Sequence, residues 1–278
     1  MVRHGRTFLQ PLRYGVNSPS NTPHLQSHTS MLRPTALIFA FSLVCACKAT
    51  PDQAGSPLVR EATGPVIVQH WGGMRDVLRN GNTQGRVTLA DVVGPNTIAV
   101  GALEGLGAEV TIMGGQVQLA VADATELSKG LRIRSHDSND QATLLVLANV
   151  PQWEEHSLAP VSDVSALEVA IHDIALTQGL DVTQPFPFRI EGTATELHVH
   201  VLNHSCPIAN PEGPAPWRFT GMNESIILVG FYAQDAAGTL THHGQSSHIH
   251  AILEGGSVSG HLDGVKLENP TRLFLPAR

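Results

Sequence analysis

The segment Ser247-His248-Ile249-His250 puts two imidazoles at alternate positions of an apolar stretch. Successive side chains of a strand face opposite sides, so His248 and His250 share a face while Ile249 turns to the other layer. Glu254-Gly255-Gly256-Ser257 supplies the turn of a hairpin, and the returning strand brings His261 back beside its predecessors. Three neutral imidazoles satisfy a divalent ion, zinc by preference, and leave it one or more open positions, the pattern of catalytic sites. His198 and His200 form a second same-face pair but lack a turn and a third partner, so they read as lining a cleft. His242 and His243 are adjacent, diverge in an extended chain, and read as loop residues without an assigned role.

The elements that must carry these residues follow from periodicity. Gln69 to Asn80 has apolar residues at helical spacing and ends at Gly81, which predicts a helix. Val110 to Ile112 and Val117 to Leu119 flank Gly114-Gly115, the signal of a tight hairpin. Leu144 to Val150 reads as a strand, and Val164 to Gln178 as a helix stopped by Gly179. The remainder is largely β, over 188–190, 196–202, 226–232, 247–253 and 257–267. The expected fold class is α+β, with two β-rich halves of mixed or antiparallel sheets and few helices, in a domain over 66–278 divided near residue 180.

With 42% hydrophobic and 15% charged residues the chain is globular, and a net charge of −7 with no Lys/Arg cluster excludes a nucleic-acid partner. Residues 1–30 read as disordered or as a start placed too far upstream. From Met31 the text changes to Arg33, an apolar run from Ala36 to Val44, and Cys45-Ala46-Cys47, a secretory signal over 31–47 that resembles a lipobox. The expectation is an exported periplasmic or cell-envelope lipoprotein anchored at Cys47 in preference to Cys45, with 48–65 as a Pro/Gly/Ser-rich tether; the alternative is simple signal-peptide cleavage at the same place, and either way the protein is exported. Of three cysteines only Cys206 then remains, so no intramolecular disulfide is expected.

His248-Ile249-His250 through Gly260-His261 resembles the ligand hairpin of α-acetolactate decarboxylases, whose strand with two alternate histidines is followed by Gly-Gly-His. Ile227 to Phe231 and Phe188 to Gly192 look like other strands of that family. Gly101 to Val110 and Met113 to Gln116 resemble its Gly-Thr-Phe-Asn-x-Leu-Asp-Gly-Glu-Met and Phe-Asp-Gly-Glu segments. The resemblance spans roughly residues 70 to 267 and implies an acetolactate decarboxylase-like fold and zinc held by His248, His250 and His261. It also implies decarboxylation of 2-acetolactate, or a related hydroxy-keto acid, to acetoin, with a small keto acid as partner and a homodimer as a compatible assembly. Glu109 occupies the place of a family acid that can move a proton.

The departures are specific. The family's active-site arginine falls on His200, which lacks the permanent charge and bidentate fork of arginine. Gly107 replaces the aspartate of the Leu-Asp-Gly-Glu signature, and no counterpart of the family's C-terminal glutamate is visible before Arg278. Two alternatives follow: an exported metal-binding lipoprotein without catalysis, and a cupin-like small-molecule binder in which Glu254 joins His248 and His250. The cupin reading ranks lower because Glu254 sits at the turn and no downstream cupin histidine motif follows.

Overall fold

Alternating and continuous apolar runs form two antiparallel sheets in the computed structural model, which describes residues 66–123 and 130–278. The signal segment, Cys45, Cys47 and the tether lie outside the described residues. The first sheet contains β1 (Val68–Trp71), β2 (Val87–Thr88), β3 (Thr97–Leu103), β4 (Glu109–Met113), β5 (Gln116–Ala122), β6 (Leu131–Arg134) and β7 (Gln141–Asn149), in the order β1-β7-β3-β4-β5-β6 with β2 also on β7. The second contains β8 (Trp153–Leu158), β9 (Phe186–Val201), β10 (Trp217–Gly221), β11 (Glu224–Tyr232), β12 (Ser247–Leu253) and β13 (Ser259–Pro276). The α+β class with few helices holds, and the strand ladders are antiparallel throughout rather than mixed.

The second sheet closes on itself, because β9 pairs with both β11 and β13 while β12 also pairs with both. Inside this ring lie Phe188, Ile190, Leu228, Ile249, Ala251 and Leu273, covered by Leu167, Ile171 and Ala175 of the long helix α3 (Val164–Gln178). Asp163 caps that helix by accepting a hydrogen bond from the Ala166 N–H at 2.8 Å, and Gly179 ends it in the left-handed region at φ 82°. On the outer side of the ring Val229, Phe231 and Ile252 pack against Ile98, Val100, Val146 and Ala148 of the first sheet. The other face of the first sheet is closed by a cluster containing Leu89 of the short helix α2 (Leu89–Val92).

Two expectations about organisation change. The step from one sheet to the other falls between Asn149 and Trp153, well before residue 180, because β8 pairs with β13 rather than with the strands preceding it. The helix expected over Gln69 to Asn80 is reduced to α1 (Met74–Leu78), and its first part is β1, which pairs with β7 from Val68↔Ala148 to Trp71↔Leu145. Gly72, at φ 70°, makes the break; a Cβ there would meet the Thr143 carbonyl. Among the described residues no helix is long and apolar enough to cross a membrane.

Candidate metal centre and cavity

β12 and β13 form the expected hairpin, turning through Glu254–Gly256 with Gly255 and Gly256 at φ 81° and 67°. His250 is the direct partner of His261 across this pair. His261 is in turn the partner of His200 on β9, and His200 of Arg218 on β10. Directly opposed residues of antiparallel strands project from the same face, so Arg218, His200, His261 and His250 form one row across four strands, facing the first sheet. Gly260 keeps the row tight, since a Cβ there would lie 2.6 Å from the His200 carbonyl oxygen.

At the inner end of the row the histidines are buried: His248 is 2% exposed, His250 0% and His261 7%. Ring centroids lie 5.1 Å apart for His248 and His250, 5.3 Å for His248 and His261, and 5.7 Å for His250 and His261. His242, which spacing alone leaves as a loop residue, completes the group. Its ring centroid is 4.6 Å from that of His261, and ring nitrogens of His242, His248 and His261 all lie within 4.8 Å of one another. Glu254 is exposed at the turn, outside the cluster. His198 also stands apart, bonded to Glu196 and Thr220 on the surface.

The first sheet contributes two side chains. The Ser259 hydroxyl donates to Thr111 Oγ1 at 3.0 Å, and Thr111 Oγ1 lies 2.9 Å from His250 Nδ1, which fixes that ring. With Nδ1–H donating to Thr111, the His250 Nε2 lone pair is free to bind a metal. Glu109 is 4% exposed, accepts a hydrogen bond from the Leu202 N–H at 3.3 Å, and brings Oε2 within 3.6 Å of His250 Nε2. Burial pushes the Glu109 carboxyl up to about 7, against the opposing pull of the His200 charge and the Leu202 N–H.

Burial first, and then neighbouring imidazoles, hold the cluster's histidines below their ordinary range: His242 at about 4, His250 at about 3, and His248 and His261 well down. All four are therefore neutral near pH 7, the form that binds metal. His248 Nδ1 and His250 Nε2 are buried without a hydrogen-bond partner. Buried polar atoms are almost always satisfied, so a pair of orphaned nitrogens in a nest of neutral imidazoles fits a bound divalent ion.

A cavity of about 430 Å³ opens from this cluster, lined by Glu109, His200, His242, His248, His261 and Asp263 among others. A larger one of about 620 Å³, beside Leu180, Pro185 and Arg278, contains no histidine and no convergent set of acids and bases. His200 stands on the wall of the smaller cavity, its Nδ1 2.7 Å from Asp263 Oδ1, and Arg218 Nη1 donates to Asp263 Oδ2 at 2.7 Å.

A β-rich fold of two packed antiparallel sheets, with a histidine cluster between them, defines the class of molecule. Solved structures that it resembles include an acetolactate decarboxylase from Bacillus subtilis subspecies spizizenii and an α-acetolactate decarboxylase from Bacillus subtilis strain 168. They superpose with TM-scores of 0.58 and 0.57 at 17% and 16% identity. A Staphylococcus aureus protein of unknown function similar to α-acetolactate decarboxylase gives 0.57 at 11%. Each comparison covers 76% of this chain and 86% of the other. At these identities the likeness establishes the acetolactate decarboxylase-like fold and nothing finer. No family sequence profile and no curated protein sequence matches the chain.

Proposed function

We propose that the protein is a zinc-dependent carboxy-lyase acting on 2-acetolactate or a closely related hydroxy-keto acid. The observation that carries the reading is the set of buried, neutral, incompletely bonded imidazoles placed beside a buried carboxyl and open to a cavity of substrate size. His248, His250 and His261 would hold the metal; of these, His248 and His261 have ring nitrogens within 4.8 Å of each other and of one on His242, which is a further donor in reach. Zinc, when bound, supplies Lewis acidity toward the carbonyl that must accept the electrons released with carbon dioxide.

This chain's own groups account for the rest. Glu109, raised by burial to about 7, is protonated in about half of the molecules at neutral pH, where an ordinary carboxyl is ionised. As the bond to the carboxylate breaks, carbon dioxide leaves and the electron pair of that bond enters the neighbouring carbonyl; Glu109 then donates its proton to the carbon that lost the carboxylate, giving acetoin, and takes a replacement proton from solvent. Thr111 and Ser259 hold the His250 ring in orientation. His200 and its Asp263 partner form the wall along which the substrate lies. Zinc analysis of the purified protein, coupled to acetoin formation from acetolactate between about pH 5 and 8, tests the reading. Zinc-loaded protein that forms no acetoin refutes it.

A second reading has one observation in its favour. If His242 joins the other three histidines, four nitrogens close the coordination sphere in the manner of structural or carrier sites, and the protein binds metal without catalysis. His242→Ala separates the two: it raises turnover or leaves it intact in a lyase, and only lowers metal affinity in a carrier. Export as a lipoprotein, proposed from Arg33, the apolar run and Cys47, is tested by detergent partitioning, which Cys47→Ser should abolish.

A further inference from the structure

We propose that Arg218 selects carboxylate-bearing ligands for the cavity and that Asp263 positions it; this rests on reading the cavity as a keto-acid site. Arg218 stands at the outer end of the row whose inner end is the histidine cluster. It is two strand spacings, on the order of 10 Å of backbone, from His261, and its long side chain shortens that gap. Among the described residues lining the cavity it alone carries a permanent positive charge. Its side chain is 63% exposed, at the mouth, where an incoming anion meets it first.

Asp263 is placed by a β-bulge. Leu262 pairs with Val199 and Gly264 with His198, so Asp263 is an extra residue on β13 with no partner on β9. Bulges re-aim a side chain, and here the carboxylate turns to accept from Arg218 Nη1 with one oxygen and to meet His200 Nδ1 with the other. The contact engages one of the five guanidinium N–H donors, which tethers the Arg218 head group to Asp263 at the cavity and leaves other donors for a ligand. The class that fits is a short 2-hydroxy or 2-oxo monocarboxylate, its carboxylate on Arg218 and its second oxygen directed toward the histidines.

The test is calorimetric titration of the zinc-loaded full chain with 2-hydroxyisobutyrate as the charged probe and acetoin as the uncharged one. Arg218→Ala should weaken 2-hydroxyisobutyrate by about 10- to 100-fold and leave acetoin affinity and zinc content unchanged. Arg218→Lys should recover part of the loss. Asp263→Asn should produce a smaller loss, again confined to the carboxylate. A wild-type protein with no preference for the carboxylate, or an Arg218→Ala variant that keeps it, overturns the proposal. An Arg218-dependent preference in a protein that makes no acetoin from acetolactate supports it while refuting the decarboxylase reading.

Discussion

One row of cross-strand neighbours runs through two environments. At its inner end His250 and His261 are buried between the sheets and held neutral by burial, and the His250 Nε2 is left without a hydrogen-bond partner; at its outer end His200 and Arg218 reach the cavity mouth, each bonded to Asp263. The same face and the same register therefore yield opposite chemistry, because desolvation keeps the imidazoles neutral at one end while the permanently charged Arg218 stands in solvent beside a carboxylate at the other. The inner end suits a metal that needs neutral nitrogen donors, and the outer end suits an anion.

The strongest way to break that comparison is at the inner end. His248→Ala or His261→Ala should lower zinc affinity by more than about 100-fold and abolish turnover, read by competition with a chromogenic chelator and by acetoin assay. Changes at the outer end should leave zinc in place, and an outer substitution that strips the metal would show that the two ends are not separable.

Next in size is Glu109→Gln. Zinc content and fold should persist while turnover falls by roughly 10²- to 10⁴-fold. Because the protonated carboxyl is the donor, wild-type turnover should decline as pH rises through about 7, and the variant should lose that limb of the profile.

The same carboxyl predicts a stability effect in metal-free protein. A folded-state value raised from 4.5 to about 7 means that the folded chain binds the proton more tightly, so stability is lost as pH rises across that window. Glu109→Gln should thus match wild type near pH 4 and exceed it by up to roughly 3 kcal/mol at pH 8 in urea titrations. An unchanged difference between the two pH values would place Glu109 in contact with water.

The smallest effect is a control outside the row. Asp163→Ala removes the cap of α3 and should cost about 1 kcal/mol in urea denaturation with zinc affinity unchanged. A parallel loss of zinc would mean that the helix behind the ring, and not the row alone, sets the ligand geometry.

Much of the inner end is legible in the sequence, because strand alternation and a glycine turn are local rules: His248, His250 and His261 sit on β12 and β13 as their spacing requires, and Val164–Gln178 is a helix with both stops. Glu109 was reached by resemblance, and its burial against the histidines depends on one sheet lying on the other, which no local pattern encodes. His242 escaped because loop conformation, not periodicity, carries it to His261; its proximity in sequence to His248 was the only signal. Arg218 had none, since its place follows from β10 returning to β9 after an irregular loop. The helix expected over 69–80 failed where Gly72-Gly73 lets the chain join β7 instead, a case of tertiary pairing overriding a helical period.

Closure of the second sheet into a ring bears on metal selectivity. The two strands bearing His248, His250 and His261 are each bonded along both edges, so neither can slide or tilt alone. An ion of different radius or preferred geometry must be accommodated by imidazole torsions, which packing already restricts and which Thr111 restricts further for His250. Discrimination among divalent ions then becomes a matter of backbone rigidity, exercised by residues that never touch the ion.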